Sequence, residues 1–152
     1  VEAVHLDPGA FADRAAYDAA VSDVLAKHGV ELVCLAGYMR LLSPGFVTGH
    51  RGRILNVHPG LLPAFPGLHA QRQALTHGVK VAGATVHFVD EGLDTGPIVL
   101  QAAVPVHDDD TEETLSARIL AEEHRLYPEA VRLFAEGRLA VIGRHVRIRR
   151  RA

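Results

Sequence analysis

The sequence predicts a single α/β domain whose mixed, mainly parallel sheet is flanked by helices, and three observations carry that expectation. Segments with apolar residues at helical spacing alternate with short Val- and Leu-rich runs. Those runs, VELVCLAG and GRILNVH among them, are too short for typical helices and read as strands buried on both faces. Of 152 residues, 48% are hydrophobic, enough for one sizeable core and too little for a second, so residues 1–152 read as one unit.

Along the chain, Ala16, Tyr17, Ala20, Val21, Val24 and Leu25 form one apolar face of an amphipathic helix from Asp13 to His28, stopped by Gly29. VELVCLAG is the strand that follows. LSPGFVTGH makes a short helical turn bounded by Pro44 and Gly49, and GRILNVH is the next strand, ended by Pro59. Beyond a loop rich in proline and glycine, HAQRQALTHG reads as a helix ending at Gly78. VKVAGATVHFV and GPIVLQAAVPV are strands joined through EGLDTG, and they can run antiparallel at one side of the sheet. A long helix from about Thr111 to Glu136 presents Ile119, Leu126, Val131 and Phe134, and Pro128 should kink it because proline has no backbone N–H to donate. LAVIG and HVRI close as a terminal hairpin.

Composition removes several classes of function. A net charge of −2 gives no bulk attraction to nucleic acid. The longest apolar stretches fall far short of the roughly 18 residues of a membrane span, and no basic segment precedes an apolar signal core. A cytoplasmic protein without a membrane partner is expected, and the lone Cys34, which can form no internal disulfide, suits a reducing compartment and is expected to pack in the core. DDDTEE at 108–113 reads as a solvated helix start, and RHVRIRRRA at 144–152, with five arginines, as a solubilising basic tail. The opening VEAVHLDPG, beginning on Val1, reads like the middle of a longer sequence.

Chemistry concentrates in ILNVHPGLLPAFPGLHAQRQAL. Asn56 and His58, two apart at a strand end, point to the same side, where α/β sheets bind ligands. An Asn NH2 can donate to a developing oxyanion, and a His can donate or accept a proton near neutrality. Asp94, in the glycine-flanked loop DEGLDTG, is the candidate carboxylate that would favour the imidazolium. On spacing alone, Asn56 and His58 more often read as loop residues that satisfy backbone groups, and Asp94 as a turn residue. The ten histidines show no metal-ligand spacing, the serines 22, 43 and 116 lack a nucleophile elbow, and no phosphate loop of the GxGxxG or GxxxxGK[ST] type occurs.

Four separated segments, LAGYMRLLSPGFV, GRILNVHPGLLPAFPGLHAQRQAL, GATVHFVDEGLDTGPIVLQ and EEHRLYPEAVRLFAEGRL, together resemble the glycinamide ribonucleotide formyltransferases, in that family's order and over about Arg14 to Leu139. The resemblance implies a Rossmann-like formyltransferase fold. It also implies attack by the amino group of glycinamide ribonucleotide on the formyl carbon of 10-formyltetrahydrofolate, a cosubstrate used without a metal, in purine synthesis. Carried across, the catalytic residues are Asn56 and His58, which hold the formyl oxygen as it becomes an oxyanion, and Asp94, which keeps His58 protonated and helps relocate the amine proton. The same resemblance places the folate against Arg14, Met39, Arg40, Leu41, Leu42, Val47, Asn56, Val89 and Asp90, and the nucleotide against Pro59 and Glu123. Leu41, Leu42, Val47 and Val89 read equally as core, Met39 as a gap filler, Arg14 and Glu123 as helix-surface residues, and His87 as a site-wall or structural histidine.

The family's first strand and its glycine-rich phosphate loop have no counterpart here, so the domain is expected to be truncated at its N-terminus. A homodimer is left open. Two relatives with a similar Asn, His and Asp compete. PGLHAQRQAL favours the ribonucleotide enzyme, and the lack of a second, RNA-binding domain counts against methionyl-tRNA formyltransferase. A 10-formyltetrahydrofolate hydrolase, or a non-catalytic folate-binding fragment, is the alternative.

Overall fold

A computed structural model describes residues 1–38 and 40–150 of the chain. Among them, β1 (Val33–Leu35), β2 (Ile54–His58), β3 (Val81–Phe88), β4 (Ile98–Pro105), β5 (Leu139–Ile142) and β6 (His145–Ile148) form one open sheet in the order β1-β2-β3-β4-β6-β5. The sheet is mixed, as expected, but its parallel share is smaller than the sequence suggested. Only β1/β2 and β4/β6 pair in parallel, whereas β2/β3, β3/β4 and β5/β6 are antiparallel. For two of the three antiparallel pairs the reason is connection length: β3 reaches β4 through a short loop, and β5 reaches β6 through a tight turn, and such links join antiparallel neighbours.

The helices are α1 (Arg14–Lys27), α2 (Pro44–Gly49), α3 (Ala70–His77) and α4 (Glu112–Ala135), with a single 3₁₀ turn at Pro8–Ala10. Their starts follow from capping chemistry. The Asp13 carboxylate accepts from the Ala16 N–H at 2.8 Å to open α1, and Thr111 and Thr114 form a reciprocal capping box at α4, with Glu112 and Glu113 favoured by the helix dipole. Helix α4 runs unbroken through Pro128, which forgoes its bond to the His124 carbonyl. No helix among the described residues is long and apolar enough to cross a membrane.

Strand alternation divides the sheet into two chemically different faces. Leu55, Ala84, Val86 and Phe88 pack with Leu115, Ile119, Leu126 and Ala130 of α4 to form the core. Between them, Asn56, His58, Thr85 and His87 point the other way, and register pairs Asn56 with His87 and His58 with Thr85. The loop after β2 covers this second face: Thr85 donates its hydroxyl proton to the Gly60 carbonyl at 2.7 Å and accepts from the Leu62 N–H at 3.1 Å.

Two sequence expectations about packing are corrected. On α1 the anticipated apolar face is only half-buried, with Ala16 exposed, and the one fully buried side chain is Asp18. Its carboxylate accepts from the Ser43 N–H at 2.6 Å, at the start of α2, so α1 docks on α2 through a backbone hydrogen bond that makes a buried carboxylate tolerable. Cys34 is exposed rather than in the core, because β1 lies at the edge of the sheet.

Candidate active site

Strand β2 delivers Asn56 and His58 to the polar face side by side, and the β3–β4 loop folds back over that face to bring Asp94 to them. The Asp94 carboxylate stands 3.4 Å from His58 Nδ1 and 3.7 Å from His87 Nε2. It also accepts from the Gly67 N–H at 2.7 Å. Gly67 can present that N–H because its φ of 82° lies in the left-handed region open to glycine. Asp94 itself adopts φ 52°, a conformation Asp tolerates better than most residues, and one that costs free energy unless surrounding contacts hold it. Here the Gly67 N–H and the His58 imidazole supply those contacts.

His58 is only 3% exposed, and both of its ring nitrogens face acceptors: Nε2 donates to the Phe65 carbonyl at 2.9 Å, and Nδ1 faces Asp94. A proton on each nitrogen therefore has a partner. Asn56 is half-buried, and its Nδ2 lies 3.2 Å from His87 Nε2. His87, 2% exposed, donates from Nδ1 to the Phe88 carbonyl at 2.9 Å. Burial pushes the proton affinity of His87 below its ordinary value, outweighing the Phe88 carbonyl and the Asp94 carboxylate, which act in the opposite sense. The sequence-predicted trio of Asn56, His58 and Asp94 is thus one cluster, and His87 completes it.

The remaining sequence candidates divide into groups. Pro59 is half-buried directly behind His58. The segment carrying Arg40, Leu41 and Leu42 leaves β1 beside Asn56, since Leu35 pairs with Asn56 in the parallel register. Leu41 is 56% exposed, which removes the alternative of a core residue, whereas Val47 is buried and Leu42 and Val89 half-buried. Met39 lies outside the described residues. Asp90 turns inward on its own loop and accepts from the Gly92 N–H at 3.0 Å and from the Thr95 hydroxyl at 2.5 Å.

Arg14 and Arg40 meet in a separate cleft of about 340 Å³ together with Phe11, Tyr17 and Tyr38. Glu123 is half-buried on α4, the helix of the apolar face, and burial raises its carboxyl above the ordinary range. No hydrogen bond or ion pair among the described residues joins Glu123 to the trio. Nor do any three His, Cys, Asp or Glu side chains among those residues converge as a metal site.

Sequence reasoning missed the backbone partners, namely the Phe65 carbonyl and the Gly67 N–H, and the side chains Thr85 and Gln101. Gln101 donates to both the Leu62 carbonyl and Thr85 Oγ1 at 3.0 Å. Period-2 alternation in VKVAGATVHFV carries a signal for Thr85 and His87, which share a strand face, but not for what lies opposite them.

Comparison with known proteins identifies the family and the fold. The family model described as formyl transferase matches residues 2–131. The phosphoribosylglycinamide formyltransferase of Escherichia coli is 48% identical over 130 residues, covering 86% of this chain and 61% of that protein. A trifunctional purine biosynthetic protein of Drosophila melanogaster is 53% identical over 127 residues, 84% of this chain but 9% of that protein. The chain therefore spans less than two thirds of the length of these relatives. Among solved structures, glycinamide ribonucleotide transformylase 1 from Symbiobacterium toebii superposes with a TM-score of 0.96 at 65% identity, over 99% of this chain and 71% of that one. A formyltetrahydrofolate deformylase from Pseudomonas syringae superposes with a TM-score of 0.86 at 32% identity, over 95% of this chain and 48% of that one. With the family model spanning most of its length and the polar cluster in place, this chain belongs to the formyl transferase family.

Proposed function

We propose that the protein transfers the formyl group of 10-formyltetrahydrofolate to the amino group of glycinamide ribonucleotide, in the cytoplasm. The observation that carries this reading is the convergence of Asn56, His58 and Asp94 on one face of β2, reached from two separate segments of the chain. Amine attack on a formyl carbon develops negative charge on oxygen and requires one proton to move from the attacking nitrogen to the departing folate nitrogen. Asn56 Nδ2–H and a His58 N–H are the donors for that oxygen. His58 Nε2 rests on the neutral Phe65 carbonyl, and an oxyanion is the stronger acceptor, so the proton redirects as charge builds. Asp94 stabilises the charged imidazole and serves as the station through which the amine proton passes.

The segment of Met39, Arg40, Leu41 and Leu42, with Val47, Val89 and Asp90, forms the wall for the pteridine ring in this reading. The cleft lined by Arg14 and Arg40 with Phe11, Tyr17 and Tyr38, and by Asp13, suits an aromatic stem ending in carboxylates, which is the far end of a folate, with the two arginines as its cationic partners. Pro59 and Glu123 contact the nucleotide, Glu123 through its ribose hydroxyls.

The identity to relatives named for ribonucleotide formyl transfer, higher than that to the deformylase, supports transfer over hydrolysis. The intact protein should consume 10-formyltetrahydrofolate only when glycinamide ribonucleotide is supplied. Release of formate at full rate without the nucleotide would replace this reading with the hydrolase.

A further inference from the structure

The proposed use of Asn56 depends on which end of its amide faces the substrate. The oxygen and the NH2 of an Asn side chain are nearly the same shape, so a half-turn exchanges a donor for an acceptor. Something must select the end. Asn56 and His87 are directly paired across β2 and β3, and Asn56 Nδ2 lies 3.2 Å from His87 Nε2. On the far side of the ring, Nδ1 lies 2.9 Å from the carbonyl oxygen of Phe88. A carbonyl only accepts, so Nδ1 carries the proton. In a neutral ring Nε2 then has a bare lone pair, and only the NH2 end of Asn56 can satisfy it. One amide hydrogen is used in this bond, and the second is left free to donate.

The charged and titratable groups around His87 are Asp94 and Asp90, which favour its protonation, and His58, which opposes it; burial outweighs the carboxylates and keeps the ring neutral. Were the ring protonated, Nε2–H would confront the NH2 as donor against donor, and the amide would have to turn its oxygen inward. We infer that His87 is a positioning residue: its ring, locked as the Nδ1–H tautomer by the Phe88 carbonyl, holds the Asn56 amide with the NH2 end engaged and one N–H available for the formyl oxygen. What that N–H is for rests on the proposed function, but the tautomer and the amide orientation do not.

Two measurements on the intact protein test this. Nitrogen-15 NMR of the imidazoles should show His87 protonated at Nδ1 and bare at Nε2 at neutral pH, with the Asn56 side-chain amide resonances moving in His87→Leu. An Nε2-protonated or doubly protonated His87 overturns the inference whether or not the protein is active, and decides it even if His87→Leu fails to fold. In formyl-transfer kinetics His87→Leu should lower kcat by about tenfold or more with little change in KM. His87→Gln, which retains an acceptor, should recover most of that loss, and His87→Leu should add nothing in an Asn56→Ala background. Multiplicative losses in the double variant would mean that His87 acts elsewhere. A wild-type protein without transfer activity would remove the proposed function while the NMR result stands.

Discussion

Thr85→Val tests whether the polar face of the sheet holds the loop after β2 in place beside the candidate site. The Thr85 hydroxyl is saturated: it donates to the Gly60 carbonyl at 2.7 Å and accepts from the Leu62 N–H at 3.1 Å and from Gln101 Nε2 at 3.0 Å. Valine has nearly the same shape but no polar atom, so the substitution leaves packing intact and removes all three bonds. Gln101 keeps its bond to the Leu62 carbonyl. The Gly60 carbonyl and Leu62 N–H, both on buried residues, lose their side-chain partner. At about 1–3 kcal/mol for each of the two orphaned groups, the variant should lose roughly 2–6 kcal/mol. At about 2–4 °C per kcal/mol for a chain of this size, that is a drop in Tm of roughly 4–24 °C. Calorimetry would measure it, with Thr85→Ser as the control that retains every hydrogen bond and sacrifices one methyl. A Val variant as stable as wild type, or a Ser variant as damaged as Val, would refute the hydrogen-bond argument.

Gly96→Ala should be damaging for a steric reason, since a Cβ there overlaps the Phe88 carbonyl and neither backbone can yield without moving the Asp94 loop. A loss of about 1–3 kcal/mol in denaturant unfolding, accompanied by at least about tenfold slower transfer, is expected, and normal values of both would contradict it. Tyr127→Phe removes a hydroxyl proton shared between the Leu35 and Leu55 carbonyls, at 2.7 and 3.0 Å, and should lower the urea-derived stability by about 1 kcal/mol without altering the trio. His87 binds a proton less readily folded than unfolded, so unfolding takes up protons between its lowered folded value and the ordinary 6.5. Stability should therefore be fully present above that window and fall as pH drops through it. Melting temperatures of wild type and His87→Gln between pH 4 and 8 should diverge accordingly, and parallel curves would show that His87 is not buried neutral.

What could be read from the sequence was whatever depends on neighbours along the chain. The alternation of β2 and the stop at Pro59 put Asn56 and His58 on one face at a strand end, and the caps at Asp13 and Thr111 set where α1 and α4 begin. What could not be read depends on which surface comes to lie opposite. The apolar stripe of α1 was visible, yet its burial depends on what packs there, and the deepest side chain is instead Asp18, chosen by the Ser43 N–H that happens to face it. His87 shows the same limit more sharply. In TVHFV it is one inward position of an alternating strand, and nothing local distinguishes a structural histidine from one that governs a neighbour. Only the antiparallel register setting residue 87 against residue 56 supplies that information, and a slip of one position would turn His87 into the α4 core and leave Asn56 without a partner. The candidate site thus depends on strand register as much as on the side chains themselves, because Asn56 meets His87 only through the pairing of β2 with β3.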